Sequence, residues 1–285
     1  MYISQSNSTD ASRIKLGIIT PSYERPALLE RLHLSLLIGN DYVDWLHCVV
    51  NDGSAIDYSP TVARCANKSG RLAFTRIENS GALVARNIAM DLAGREGCTH
   101  LVFVDDDDEL VPGALAAVVQ TIIGYQHINW FVFQSIKNGL HNTLWPAENY
   151  VVSWFDDIVI RRIIGNDNLV VISSHLVGFS RFSRWGRNQR EWKFFLTVAK
   201  GDDRVMLCPQ ALLIHNYMPG GLTDQTKRKF TSPLQIANAI DRAISYWGMR
   251  PRSASLLLFA LWQIALSPVK LCRFFVWKLF AKLKS

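Results

Sequence analysis

Residues Thr99–Glu109 read THLVFVDDDDE. A short apolar run, LVFV, stops abruptly at four consecutive aspartates, Asp105–Asp108, with Glu109 behind them. The run predicts a buried strand. Four adjacent carboxylates repel one another, and no fold requires them. At the carboxyl end of a parallel strand they stand where open α/β sheets bind ligands. The D-x-D spacing aims two carboxylates at one point, which suits a hard cation, Mg²⁺ or Mn²⁺, shared with a diphosphate. The alternative is a solvated acidic loop capping the helix that follows.

Outward from this stretch, strands and helices alternate. KLGIIT (15–20) reads as a buried strand before Pro21, and residues 26–38 carry apolar residues at helical spacing. WLHCVV (45–50) is a second strand, closed by the turn signal Asn51-Asp52-Gly53-Ser54. Residues 61–67 suit a helix, 71–77 a third strand and 80–93 a helix that Gly94 ends. A helix follows from Pro112. The alternation implies right-handed βαβ units and a mostly parallel sheet. Residues 126–185 are less regular and rich in aromatics; 190–199 reads as a helix and 205–214 as another apolar run. A polar stretch opens at Pro219-Gly220-Gly221.

Two further constellations share the sheet edge. Asp52 is a second carboxylate beside the aspartate run, though alone it is a turn residue. Asn79-Ser80-Gly81 opens the helix that carries Arg86 and Asn87. Free N–H groups there suit an anion, and Arg86 suits a phosphate or the aspartates; the alternative is an ordinary N-cap with a structural ion pair. There is no GxGxxG and no Walker A sequence, so a dinucleotide oxidoreductase or a P-loop NTPase is poorly supported. His33 and His47 read as packing or surface residues.

The chain has 285 residues, and its 49% apolar content is ample for a large core. Its five cysteines, 48, 65, 98, 208 and 272, show no CxxC spacing, which fits a reducing compartment. The net charge of +7 is unevenly placed. Eight of the 31 Lys and Arg lie beyond Asp241, the last acid, leaving 23 bases against 24 acids before it. The body therefore lacks the basic patch that nucleic acid requires. The first residues, MYISQSNSTDASR, have no apolar signal-peptide core.

Residues 255–266 (SLLLFALWQIAL) are strongly apolar but short of the ~20 residues a span needs. Ser267-Pro268 reads as the opening of a second helix. On it Val276, Leu279, Phe280 and Leu283 share one face, and Lys270, Arg273, Lys278, Lys282 and Lys284 fall mostly on the other. That is the pattern of a helix lying in an anionic membrane interface. The alternative is a helix pair packed on the body or on another subunit.

Taken together, these segments resemble the family 2 glycosyltransferases of the GT-A fold. KLGIITPSYERPALLERLHLSL (15–36) looks like the family's opening strand, loop and helix. VVNDGS (49–54) is similar to its VVDDGS, NSGALVARNIAM (79–90) to its N-x-G-x-x-x-A-R-N segment, and LVFVDDDDEL (101–110) to its DXD segment. The resemblance covers residues 14–118 well and continues to about 216 more loosely. It implies a nucleotide-sugar-binding half at 14–118, an acceptor half at 119–218 and a basic helical tail at 219–285. Thr20, Pro21 and Tyr23 would line the nucleoside pocket and Asp52 would bond the base. Arg86 would sit near the nucleotide, Asp105 on the ribose side, and Asp107 would hold Mn²⁺ or Mg²⁺ on the diphosphate.

His215 resembles a metal-ligating histidine of some GT-A enzymes. REWKFF (190–195), set against the family's EDWxFF, puts Glu191 at the catalytic base, which the family commonly fills with Asp. Glu191 can equally be a helix N-terminal carboxylate. Asn51 stands where the family commonly has Asp, which bears on base choice, with UDP still expected. Trp145 or Trp154 would stack on sugar faces.

The implied reaction is inverting transfer from a UDP-sugar to a hydroxyl of a glycan or lipid-linked acceptor in cell-surface polysaccharide or lipopolysaccharide synthesis. It would occur on the inner face of the cytoplasmic membrane. The rival from another class is a non-catalytic GT-A-like module that binds a nucleotide sugar or glycan at the membrane. A nucleotidyltransferase would need a glycine-rich, basic phosphate loop near the first strand, which is absent.

Overall fold

The computed structural model describes residues 14–137, 139–140, 145–165, 167–185, 190–216 and 233–283. They form two compact units. The first takes the described residues up to Phe182 and again from Phe194 to Asn216. The second takes the described part of Ser183–Lys193 and everything from Pro233 onward.

The first unit is a sheet of nine strands among the described residues. Four parallel strands come first: β1 (Lys15–Ser22), β2 (Asp44–Asp52), β3 (Leu72–Ile77) and β4 (His100–Phe103), in the spatial order β3-β2-β1-β4. The connecting helices are α1 (Pro26–Leu37), α2 (Ser59–Ser69) and α3 (Ala82–Arg95). The four apolar runs read before Asp105 each fall on one of these strands. Alternation along β1 splits its faces. Leu16 and Ile18 join α1 residues Leu32 and Leu36 in the main core. Gly17 faces α3, where an added Cβ would stand 2.8 Å from that of Ala93, so only glycine lets this helix approach.

Past β4 the sheet is no longer parallel. β5 (Glu109–Leu110) leads to α4 (Ala114–Gly124), β6 (Trp130–Lys137), β7 (Tyr150–Ser153) and a π-helical segment, Trp154–Arg161. Then come β8 (Leu169–Ser173), the single turn α5 (Ser174–Val177), α6 (Glu191–Ala199) and β9 (Arg204–His215). β8 runs antiparallel to β4 and β6, while β9 is parallel to β6 and antiparallel to β5 and β7. The expected parallel sheet thus holds for β1–β4, and the second half is mixed.

Its tryptophans Trp130, Trp145 and Trp154 are core. Trp154 stacks on Trp130 at 5.7 Å, and Trp145 donates its indole N–H to the Cys208 carbonyl at 2.8 Å. Both are under a tenth exposed, so neither offers a face for a sugar to stack on.

The second unit contains α7 (Pro233–Met249) and α8 (Ala254–Leu283). The expected break at Ser267-Pro268 is absent, and α8 runs through Pro268. Proline leaves the carbonyl four residues back without its N–H partner. Ser267 supplies the substitute: its hydroxyl donates to that carbonyl, Ile264 O, at 2.7 Å. No helix among the described residues is long and apolar enough to cross a membrane.

Candidate active site

The carboxyl ends of β1, β2 and β4 bring Ser22, Asp52 and Asp105 to one edge, as parallel pairing of the three strands requires. The aspartate run is neutralised from α1 and α3. Arg25, at the start of α1, places Nη1 2.8 Å from Asp107 Oδ2 and 3.3 Å from Asp106 Oδ1. Arg31, less than two turns on, reaches Glu109 at 3.1 Å and donates to the Asp107 carbonyl at 2.7 Å. Arg86 of α3 pairs with Asp105 and lies over the Phe182 ring.

Asp106 is buried at the end of a directed chain. The Arg25 backbone N–H donates to Tyr58 Oη (2.9 Å), Tyr58 to Ser22 Oγ (2.8 Å), and Ser22 to Asp106 Oδ2 (2.7 Å). Burial pushes the Asp106 carboxyl up to about 7 against the help of Ser22 and Arg25. Burial, with the neighbouring Asp105 charge, pushes Asp108 up to about 8 and raises Asp107. Burial opposes the Arg25 charge, but Asp106 and Asp107 outweigh it and hold the guanidinium above its ordinary value.

His215, at the end of β9, contacts Asp108 through Nδ1 at 3.0 Å. Asn216 follows it, its N–H on Asp108 and its side chain on the Asp107 carbonyl and Glu109. Asp107 itself faces Arg25, so the expected ligands Asp107 and His215 each have a protein partner.

Among the described residues no three His, Cys, Asp or Glu side chains form a ready cage for a metal ion. The donor chemistry fits a cation that brings oxygen ligands with it. Five carboxyl groups, Asp105–Glu109, outnumber the three guanidiniums that they face and put hard oxygen donors together at one place. Mg²⁺ commonly takes one or two carboxylates and completes its shell from phosphates and water.

Asp52 does a job the sequence did not reveal. Its carboxylate accepts the backbone N–H groups of Ser80 (2.7 Å) and Gly81 (2.9 Å), at the start of α3. The expected anion site at Asn79-Ser80-Gly81 is therefore taken by the protein's own carboxylate, since those N–H groups lack helical partners. Gly53 makes the approach possible. Its φ is 76°, and a Cβ there would stand 2.4 Å from the Asn79 nitrogen.

Pro21 is buried and Tyr23 is 48% exposed. Between Tyr23 and Arg25, Glu24 takes a left-handed φ of 59°. Ser54 Oγ holds the Glu24 N–H at 2.8 Å, which ties the β1 loop to the β2 loop across this strained residue. Thr20 is fully buried, and its hydroxyl donates to the Val104 carbonyl at 3.0 Å.

Behind Thr20 lies a pair of buried histidines. His47 Nε2 is 3.1 Å from Thr20 Oγ1, His47 Nδ1 is 3.0 Å from His33 Nδ1, and His33 Nε2 is 3.0 Å from Ser69 Oγ. Thr20 donates onward, so it accepts from His47, whose Nδ1 then accepts from His33. Both rings are neutral in this arrangement. Burial lowers His33 to about 4 and His47 well below its ordinary value.

The sequence model of the family described as Glycosyl transferase family 2 matches residues 17–198. The chain belongs to this family. One relative is the GalNAc(5)-diNAcBac-PP-undecaprenol beta-1,3-glucosyltransferase of Campylobacter jejuni subsp. jejuni serotype O:2, 32% identical over 117 residues. That match covers 40% of this chain and 37% of the relative.

Among solved structures, S. aureus TarS superposes with a TM-score of 0.64 at 16% identity, covering 81% of this chain and 39% of TarS. TarS 1-349 in complex with UDP-GlcNAc gives 0.67 at 17% identity, covering 81% and 66%. These likenesses establish the family's α/β fold here. The matches span less than half of the curated relative and of the longer TarS chain.

Glu191 opens α6. It belongs to the second unit, whereas the acid run and Asp52 belong to the first. Sequence reasoning missed Arg25, Arg31, Ser22, Tyr58 and Asn216. Arg25 had a signal: a lone cation in the loop after β1, at the edge where the aspartates end.

Proposed function

We propose that the protein transfers a sugar, with inversion, from a UDP-sugar to a hydroxyl of a glycan or lipid-linked acceptor. The observation that carries this reading is the run of carboxyl groups, Asp105–Glu109, that follows parallel strand β4 at the sheet edge where β1 ends before Tyr23 and β2 ends in Asp52. Asp107 and Asp105, with His215 nearby on Asp108, would hold Mn²⁺ or Mg²⁺ together with the donor diphosphate. When bound, that cation neutralises charge on the departing nucleotide. Tyr23 supplies an exposed ring for the base, and Thr20 and Pro21 hold the strand end beneath it. Asp52, with oxygen lone pairs beyond those it gives to α3, would bond the base. The relative's name specifies a PP-undecaprenol acceptor, and the TarS complex holds UDP-GlcNAc. Both support this donor and acceptor class.

In the transfer step, the acceptor oxygen forms a bond to the anomeric carbon. The bond from that carbon to the diphosphate oxygen breaks on the opposite face, and UDP leaves. Glu191, in the first turn of α6, takes the hydroxyl proton as general base.

The tail would bring the enzyme to its acceptor. Leu258, Leu261, Trp262 and Val269 leave an exposed apolar stripe on α8, and no acid follows Asp241 to offset the eight cations beyond it. This pattern fits peripheral binding to the anionic inner face of the cytoplasmic membrane.

The test is binding of a nucleotide-sugar panel with and without Mn²⁺, on wild type and Asp107→Ala. Metal-dependent binding of UDP-sugars that Asp107→Ala abolishes is expected. Binding of none would refute a transferase.

A further inference from the structure

The chain leaves the first unit after Phe182 and returns to it at Phe194. These two rings stack, with centroids 4.0 Å apart and 20° between planes. Asn87, on α3, clamps the exit point: its amide donates to the Phe182 carbonyl (2.9 Å) and accepts the Phe182 N–H (2.8 Å). The two ends of the excursion are thus joined within the first unit, and residues 183–193 belong to the second.

Within the second unit this segment is held around Glu191. Arg190 pairs with Asp241 on α7, and Lys193 Nζ lies 3.2 Å from the same carboxylate oxygen. Trp192 Nε1 donates to Asn238 Oδ1 at 3.1 Å, and its ring meets Tyr246 edge-on at 5.8 Å. Asn238 and Asp241 are three residues apart on one face of the helix. Arg190 and Lys193, on either side of Glu191 in the chain, therefore converge on one carboxylate, and Trp192, between Glu191 and Lys193, is pinned beside it.

We propose that Asp241 is a positioning residue for sugar transfer: by drawing Arg190 and Lys193 onto α7, it fixes the helix turn from which Glu191 acts. The proposal rests on Glu191 being the base. The acid run, Asp52 and Tyr23 all lie in the first unit, so donor binding does not depend on Asp241. The committed step does, because a base displaced by about 1 Å can lose some hundredfold in rate.

The experiment uses the full chain as wild type, Asp241→Asn, Asp241→Glu and Glu191→Gln. UDP binding with Mn²⁺ is read by calorimetry. Turnover is read as UDP released from UDP-glucose or UDP-N-acetylglucosamine, whichever the wild type consumes. Hydrogen exchange is followed in residues 190–193 and in β1–β4. Asp241→Asn should lower kcat about tenfold or more while donor KM and UDP affinity stay within about twofold. Exchange should quicken in 190–193 and stay unchanged in β1–β4, and Asp241→Glu should recover most of the rate.

An unchanged kcat in Asp241→Asn would overturn the proposal. So would parallel loss of rate, UDP affinity and β1–β4 protection, which marks a merely structural residue. Full turnover in Glu191→Gln would instead overturn the base assignment, and the exchange data would then still report whether Asp241 tethers the segment.

Discussion

Arg25 Nη1 lies 2.8 Å from Asp107 Oδ2, so the carboxylate expected to meet a metal is held by a guanidinium from the same sheet edge. The pair is half-buried, and the neighbouring Asp106 is almost fully so. Arg25 thus supplies the positive charge that lets several carboxylates coexist in the folded chain.

Replacing Arg25 with Gln should destabilise the protein by about 1–3 kcal/mol, because desolvated carboxylates are left without their countercharge. Mn²⁺ can supply the same charge. The increase in melting temperature on adding Mn²⁺ should therefore be larger for Arg25→Gln than for wild type. Equal Mn²⁺ shifts in a thermal melt would show that the guanidinium and the cation do not serve the same oxygens.

The histidine pair sets a pH dependence of stability. An unfolded histidine titrates near its ordinary value of 6.5, whereas burial lowers His33 to about 4 and His47 well below 6.5. Below pH 6.5 these histidines bind protons in the unfolded chain that the folded chain excludes, so their contribution to stability falls as pH drops from 6.5 towards 4. It is fully present above 6.5. Each such histidine contributes a slope of up to about 1.4 kcal/mol per pH unit. His33→Gln should be flatter than wild type by up to one proton in urea titrations from pH 4.5 to 7.5. Parallel curves for the two proteins would refute the assignment.

The sequence revealed most where a residue's meaning is local. LVFV before Asp105 and WLHCVV before Asn51 marked both the strands and the edge where their carboxylates gather. It revealed least where the partner is distant. Arg25 meets Asp107 across 82 positions, and His33 and His47 sit on different elements, so neither pairing has a signature in spacing. Asp52 was legible as a site residue but not as the cap of α3, because its acceptor role depends on how closely Gly53 approaches Asn79. Pro268 misled for a different reason. A proline usually marks a helix boundary at a cost of ~3 kcal/mol inside one, and here one serine hydroxyl replaces the missing donor.

The cap makes a graded prediction. Asp52→Ala leaves the Ser80 and Gly81 N–H groups without their acceptor and should cost about 0.5–2 kcal/mol. Asp52→Asn keeps one acceptor oxygen and should cost less. Both should weaken UDP binding, read by calorimetry, if the remaining lone pairs bond the base. A variant that loses stability while binding UDP as wild type would assign Asp52 to the helix alone.

The exposed stripe on α8 makes the membrane reading testable apart from catalysis. The chain should co-sediment with vesicles containing anionic lipid and much less with zwitterionic ones. Binding should weaken as salt rises, because each cation near the surface contributes about 1 kcal/mol through a screened field. Replacing Leu258 and Trp262 with Ser removes two of the most exposed apolar side chains on the helix, 65% and 55% accessible. That variant should lose vesicle binding at low salt while keeping UDP affinity, since the residues proposed to bind the nucleotide lie in the other unit. Deleting residues 252–285 should do the same. If the deletion also abolished UDP binding, α8 would belong to the structural core and its apolar stripe would be a packing surface. If the double Ser variant bound vesicles as wild type, charge alone would carry the attachment.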